Sequence, residues 1–208
     1  MNINFSLYLI TDRKLIADSS SLTAAVKKAL KGGVKAVQLR EKDMETRDLL
    51  KLAYDMRKVT QEHGAQLFIN DRFDIALAVN ADGVHLTQNS MPVEAVRRVV
   101  KKKLLIGVST HSMKEARAAE SGGADFITMG PVYRTSSKVK YGAPIGLGAL
   151  EKVCGNINIP VFALGGIKSN RIEKVMETGA HGVAMISGIL KADNIRKKTE
   201  ELIDILIK

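Results

Sequence analysis

Short apolar runs and amphipathic stretches alternate along the whole chain. Apolar runs fall at Leu7–Thr11, Ala36–Leu39, Leu67–Ile69, Gly83–Leu86, Leu104–Val108, Phe126–Met129, Val161–Leu164 and Gly182–Ile186. Each is short and bounded by Gly, Asp, Asn or Ser, as buried strands are. They hold too few polar positions for a sheet with one wet face, so both faces are expected to be covered in a parallel sheet. Between them, Ser21–Lys31 sets Leu22, Ala25, Val26 and Leu30 on one helical face. Thr46–His63, Phe73–Val79, Pro92–Lys102, Ser112–Ser121, Leu147–Cys154, Ser169–Thr178 and Asn194–Ile207 follow the helical period too. Ser169 is the expected N-cap of its helix, and Lys101–Lys103 a basic helix end. Eight strands, each followed by a helix, predict a single (β/α)8 barrel of the TIM type over residues 1–208, without linker or second domain. A doubly wound open sheet is the alternative, but eight regular units in 208 residues favour closure.

Composition narrows the class. Hydrophobic residues are 45% and charged residues 26% of the chain, which excludes disorder, collagen and coiled coil. Cys154 is the only cysteine, so no intramolecular disulfide forms, as suits a reducing compartment. No apolar stretch is long enough to span a membrane, and no signal segment opens the chain. A cytoplasmic protein is expected. The net charge of +10 favours anionic partners. Aromatics are few (Phe 5, Tyr 4, Trp 0), so a stacking platform for nucleic acid is not expected. Small phosphorylated metabolites suit the charge better.

In such a barrel the active site sits at the C-terminal ends of the strands. Those ends are polar nearly all round: Thr11-Asp12-Arg13, Gln38 to Lys42, Asn70-Asp71-Arg72, His85, Gln88-Asn89-Ser90, Ser109-Thr110-His111, Thr135 to Lys138, Gly165-Gly166 and Ser187-Gly188. Arg40, Lys42 and Lys138 suit phosphate oxygens. Gly165-Gly166 and Ser187-Gly188 offer backbone N–H groups where this fold usually cradles phosphate. Asp71 is the best candidate ligand for a hard cation such as Mg²⁺. Taken singly, each has a plainer reading. Gln38, Arg40 and Glu41 could form a salt-bridged strand end. Asn70 to Arg72 could cap a helix, Asp12 could pair with Arg13, and His85 could be a satisfied barrel-interior histidine. His111 and Cys154 read as structural. The fourteen residues of the Tyr133–Gly146 stretch form the one long loop, a length often tied to function.

Together these segments resemble the thiamine phosphate synthase family (thiamine-phosphate pyrophosphorylase), which includes thiazole tautomerase relatives. The matching stretches are Tyr8 to Asp12, Gln38 to Lys42, Ile69 to Arg72, Ala81 to Leu86, Gly107 to His111, Gly130 to Tyr133, Thr135 to Lys138, Gly165 to Ile167 and Ile186-Ser187. The resemblance implies an oligomeric (β/α)8 barrel that joins hydroxymethylpyrimidine diphosphate to a thiazole phosphate, releasing diphosphate by a dissociative route. It implies that Gln38, Leu39, Arg40, Glu41 and Lys42 hold the pyrimidine diphosphate, with Asn70, Ser109 and Lys138. Asp71 would bind Mg²⁺. Thr135, Ser136, Ser137, Gly166, Ile186 and Ser187 would bind the thiazole phosphate. Arg40, Ser109 and Lys138 would carry the catalytic load. Three positions depart from the pattern. Ser90 stands where a second acidic Mg²⁺ ligand is expected, Ser137 replaces a threonine, and Pro131 occupies the place of the tautomerase branch's histidine. A thiazole tautomerase-like isomerase, or a non-catalytic thiazole-phosphate-binding paralogue, is the alternative.

Overall fold

The structure is a computed structural model that describes residues 3–16, 21–135 and 143–207. Eight parallel strands close a barrel in sequence order: β1 Leu7–Ile10, β2 Ala36–Leu39, β3 Gln66–Asn70, β4 Gly83–Leu86, β5 Leu105–Thr110, β6 Phe126–Met129, β7 Val161–Leu164 and β8 Gly182–Met185. β1 pairs with β8 through Leu7↔Val183, Tyr8↔Ala184 and Leu9↔Met185, so no sheet edge remains. The described helices are α1 Leu22–Lys31, α2 Thr46–Glu62, α3 Phe73–Ala78, α4 Val93–Val100, α5 Met113–Ser121, α6 Gly146–Cys154, α7 Ile172–Met176, α8 Ser187–Leu190 and α9 Ile195–Leu206. Single 3₁₀ turns lie at Arg13–Leu15 and Ser169–Arg171.

The period-2 rule of strands sorts the side chains into two layers. Odd positions of β1, β2 and β3, among them Leu7, Leu9, Val37, Leu39, Leu67 and Ile69, face the helices in the larger core. Tyr8, Ile10, Ala36, Phe68, Leu105, Phe126, Phe162 and Ala184 fill the barrel interior, with Phe5 closing it from below. Phe5 stacks on Phe162 at a centroid distance of 5.0 Å and meets Phe68 and Phe126 edge-on. The rings of Phe5, Phe68, Phe126 and Phe162 thus form a floor under the barrel.

Glycine makes room for this floor. A Cβ at Gly107 would collide with the Phe126 ring and lie 2.6 Å from His85 Nδ1. Two carboxylates clamp the floor from outside. Asp82 accepts from Leu67 N at 2.7 Å and from Arg57 at 2.6 Å. Asp125 accepts from Ile106 N at 2.6 Å and from Arg97 at 2.5 Å. Each ties a strand's backbone N–H to an arginine on the preceding helix, α2 or α4.

Four local features differ from the sequence reading. Ser169 does not cap a helix: its hydroxyl accepts from Lys198 Nζ at 2.7 Å, and α7 starts three residues later without a side-chain cap. Helix α4 stops at Val100 because Lys101 turns to φ +51°, short of the expected basic helix end. A short helix, α8, follows β8 and was not expected. Arg72 stands at the N-cap position of α3 without a side-chain cap bond, and the local ion pair of the plainer reading is present, Arg72 Nη2 to Asp74 at 2.6 Å.

Candidate active site

The C-terminal ends of the strands surround a cavity of about 620 Å³. Its wall includes Ile10, Asp12, Gln38, Arg40, Lys42, Asn70, Gln88, Ser109, His111, Leu164, Ile186, Ser187 and Lys191. The expected residues Gln38, Arg40, Lys42, Asn70, Ser109, Ile186 and Ser187 therefore converge from four different strand ends. Gln38, Asn70 and Ser109 sit at inward positions of β2, β3 and β5, where the barrel's alternation aims them up its axis. The wall is chemically split. Arg40 and Lys42 stand at the end of β2, Lys191 at the end of α8, and Leu164 and Ile186 supply apolar surface between. Burial, and then the neighbouring charge of Arg40, lowers the Lys42 pKa, with Asp71 opposing. A cationic wall of this kind takes a polyanion.

Two members of the β2 motif are placed otherwise. Leu39 is 1% exposed and packs in the helix-facing core, because its neighbour Gln38 takes the inward position. Glu41 is buried beside the mouth and bonded to protein: it accepts from Thr11 Oγ1 at 2.6 Å, Arg13 N at 3.0 Å and Arg13 Nη1 at 3.3 Å. Arg13 also reaches Asp43 at 2.6 Å, so it pairs with Glu41 and Asp43 rather than with Asp12. Thr11 Oγ1 accepts in turn from Arg40 N at 2.9 Å. Glu41 thus braces the turns after β1 and β2 and holds the backbone that carries Arg40.

Asn70 has an unusual feature. Its Oδ1 is buried and has no hydrogen-bond donor, on a residue that lines the cavity. A buried acceptor left empty costs about 1–3 kcal/mol unless a ligand fills it. Next to it, Asp71 is exposed and holds φ +65°; its N–H donates to His85 O, its carbonyl accepts from Phe73 N, and its carboxylate accepts no hydrogen bond from another described residue. Ser90 Oγ is already engaged: Thr87 N donates to it at 2.7 Å, and Thr87 Oγ1 lies 3.1 Å away. Its lone pairs close the turn after β4, and it lies outside the cavity wall. Among the described residues no three His, Cys, Asp or Glu side chains gather into a metal cage.

The far side of the mouth is built from the ends of β6 and β7. Val132 N donates to Leu164 O at 2.9 Å and Tyr133 N to Gly165 O at 3.0 Å. Gly166 holds φ +66°, and a Cβ there would lie 2.7 Å from Arg134 O and from Tyr133 Cβ. Only glycine fits that close approach. Arg171 straps the two ends together: it donates to Gly166 O at 2.7 Å and lies 4.4 Å over the Tyr133 ring. Thr135 is half-buried at the end of this described stretch. Ser136, Ser137 and Lys138, with most of the expected long loop, lie outside the described residues.

His85 proves to be the barrel-interior histidine of the plainer reading, bonded to Tyr8 and Ser109. His111 lies at the rim beside Gln88 and Glu115. Lys191 was missed by sequence reasoning. Its only signal was position, a lysine four residues after the polar end of β8.

Comparisons with known proteins give the chain's relatives. Residues 7–189 match the family described as thiamine monophosphate synthase. The chain is 44% identical over 205 residues to a thiamine-phosphate synthase of Clostridium novyi, covering 99% of this chain and 100% of that one. It is 44% identical over 207 residues to a thiamine-phosphate synthase of Clostridium acetobutylicum, covering 100% of this chain and 97% of the other. The solved thiamine phosphate pyrophosphorylase of Pyrococcus furiosus superposes with a TM-score of 0.89 at 39% identity, covering 98% of this chain and 96% of that one.

Proposed function

This chain belongs to the thiamine monophosphate synthase family, and we propose that the residues of its barrel mouth perform that synthesis as follows. The protein is a transferase of thiamine biosynthesis. It joins hydroxymethylpyrimidine diphosphate to thiazole phosphate, giving thiamine phosphate and diphosphate. One barrel, residues 1–208, does this as a single domain.

Arg40 and Lys42 hold the diphosphate on the cationic wall, with Lys138 added from outside the described residues. Asn70 Oδ1 accepts from the amine of the pyrimidine ring. This empty, buried acceptor beside a cationic wall is the observation that carries the reading. Thr135 to Ser137, Gly166, Ile186 and Ser187 take the thiazole phosphate against the strapped ends of β6 and β7. The carbon–oxygen bond to diphosphate breaks first, leaving a pyrimidine-methyl cation that the ring amine stabilises. The thiazole nitrogen then forms the new carbon–nitrogen bond. The chain supplies alignment and charge neutralisation, and no nucleophile-plus-base pair is required.

The exposed carboxylate of Asp71 fits Mg²⁺ held by one carboxylate together with substrate phosphate oxygens. When bound, that ion would offset the charge growing on the leaving diphosphate. Ser90 adds no carboxylate, and its hydroxyl is spent on Thr87. Metal binding is therefore expected to need the diphosphate.

The isomerase alternative gains no support: the position of its histidine is Pro131. The protein is proposed to work in the cytoplasm as a homo-oligomer on small phosphorylated substrates, without nucleic acid or membrane. None of its described helices is long and apolar enough to cross a membrane. The test is direct. Purified protein with both substrates and Mg²⁺ is assayed for thiamine phosphate by conversion to fluorescent thiochrome. Product at about 0.01 s⁻¹ or faster is expected. Bound thiazole phosphate without product would overturn the reading.

A further inference from the structure

One line of polar side chains crosses the barrel between its aromatic floor and its mouth. Gln38 Nε2 lies 3.2 Å from Tyr8 Oη. Tyr8 Oη lies 3.4 Å from His85 Nδ1, and His85 Nε2 lies 3.0 Å from Ser109 Oγ. Gln38, Tyr8 and His85 are at most 1% exposed, whereas Ser109 opens onto the cavity. The protons along this line can be placed in order. The Gln38 amide nitrogen only donates, so Tyr8 Oη accepts from it. Tyr8 is fully buried, and its own O–H then goes to His85 Nδ1, the remaining neighbour on the line. Nδ1 is thereby an acceptor, and a neutral imidazole carries its hydrogen on Nε2. That N–H donates to Ser109 Oγ, and Thr128 Oγ1 donates to the same oxygen at 3.5 Å. With its oxygen served from inside the barrel, Ser109 has one direction left for its own proton, the mouth.

We propose that His85 is a positioning residue: as the Nε2–H tautomer it turns the Ser109 hydroxyl into a fixed donor aimed at an anionic oxygen of the diphosphate-bearing substrate. This rests on the proposed reading of the mouth. Two further observations fit. Burial, with the charge of Arg40 adding, pushes the His85 pKa down to about 3, so the ring stays neutral at ordinary pH. The ring is also held in place, with Tyr8 and Phe126 each at a centroid distance of 5.7 Å and the bare Cα of Gly107 leaving it space. The direction of the line matters chemically. Charge grows on the departing diphosphate, and only a donor stabilises it. Run in reverse, with the Gln38 amide turned over and the imidazole hydrogen on Nδ1, the same line would use the Ser109 proton internally. Ser109 would then show the leaving group a lone pair.

The experiment is ¹⁵N NMR of the whole protein labelled at histidine, with the His85 signals assigned by their loss in His85→Gln. Protonated Nε2 and bare Nδ1 are expected for His85. The Nδ1–H tautomer would overturn the proposal, and this readout does not depend on whether the protein turns over. Tyr8→Phe keeps the ring and removes only the proton given to Nδ1. It is expected to mix the two tautomers and to lower kcat about tenfold, the worth of one ordinary hydrogen bond. The KM for thiazole phosphate should stay unchanged. In a Ser109→Ala background, Tyr8→Phe should have no further effect, because the line acts through Ser109. An equal loss in both backgrounds would mark Tyr8 and His85 as merely structural and refute the idea. Should no turnover be found, the same pair of backgrounds is read by the affinity for inorganic diphosphate.

Discussion

Replacing Glu41 with alanine separates a brace from a ligand. The Glu41 side chain is 2% exposed and accepts from Thr11 Oγ1 and from the backbone and guanidinium of Arg13. Arg13 is 36% exposed and keeps Asp43 and water, so its share of the loss is small. Thr11 is fully buried, and its O–H would lose its only described acceptor. A buried bond to a charged group contributes about 1.5–3 kcal/mol, and the stranded Thr11 donor and Arg13 N–H bring the expected loss to about 3 kcal/mol. In a chain of this size each kcal/mol moves Tm by about 2–4 °C, so a fall of roughly 6–12 °C is expected. Thermal unfolding of the ligand-free protein, followed by circular dichroism or calorimetry, measures it. Thr11→Val should produce much of the same fall, and the double variant should lose less than the sum, because the two residues share one interaction. A Glu41→Ala protein with unchanged Tm but lost affinity for the pyrimidine diphosphate would refute the brace and restore Glu41 as a substrate ligand.

Other outcomes follow from the same geometry. Gly166→Ala forces a Cβ into Arg134 O and Tyr133 Cβ at a left-handed φ, which alone costs about 1–2 kcal/mol. Steady-state kinetics should show about a tenfold or larger rise in the KM for thiazole phosphate, and an unchanged KM would remove Gly166 from that wall. Ser90→Asp should lower the Mg²⁺ concentration needed for half-maximal rate without changing Tm, since an aspartate also accepts from Thr87 N. An unchanged Mg²⁺ titration would show that another group already completes the metal's shell. Acid stability should report His85. Its folded pKa of about 3 lies below the ordinary 6.5, so between those values the unfolded chain binds more protons and stability falls as pH falls. The slope from this residue is at most about 1.4 kcal/mol per pH unit, and His85→Gln should flatten it in denaturant titrations across that window. Tyr8 faces the same ring, and burial raises its pKa further, so it stays neutral there. An identical slope in the variant would mean that carboxylates elsewhere dominate.

The barrel was legible because burial on both faces leaves an unmistakable rhythm: Ala36–Leu39, Gly83–Leu86 and Phe126–Met129 have the same bounds in the sequence reading and in the structure. Much of the mouth was legible for a related reason, since polar residues at strand ends have nowhere to go but the cavity. What escaped depended on long-range partners or on very short elements. Ser169 looked like a cap because its sequence neighbours form a helix, yet its hydroxyl met Lys198, 29 residues away. Ser187–Leu190 spans four residues, too few for a period to show, and with it Lys191 went unseen. Gln38 to Lys42 read as one binding strip. Strand alternation instead sends Leu39 to the helices, and the turn beyond β2 sends Glu41 to Thr11 and Arg13. A contiguous motif thus divides into residues that face the cavity and residues that hold them there.

The aromatic floor has a consequence for solvent traffic. Phe5, Phe68, Phe126 and Phe162 pack beneath Tyr8 and His85, so among the described residues the inner polar line meets the cavity through Ser109. A molecule seated in the mouth becomes a stopper. Hydrogen exchange of the His85 Nε2–H with solvent is then limited by how long the occupant stays, and the histidine acts as an internal clock of ligand residence.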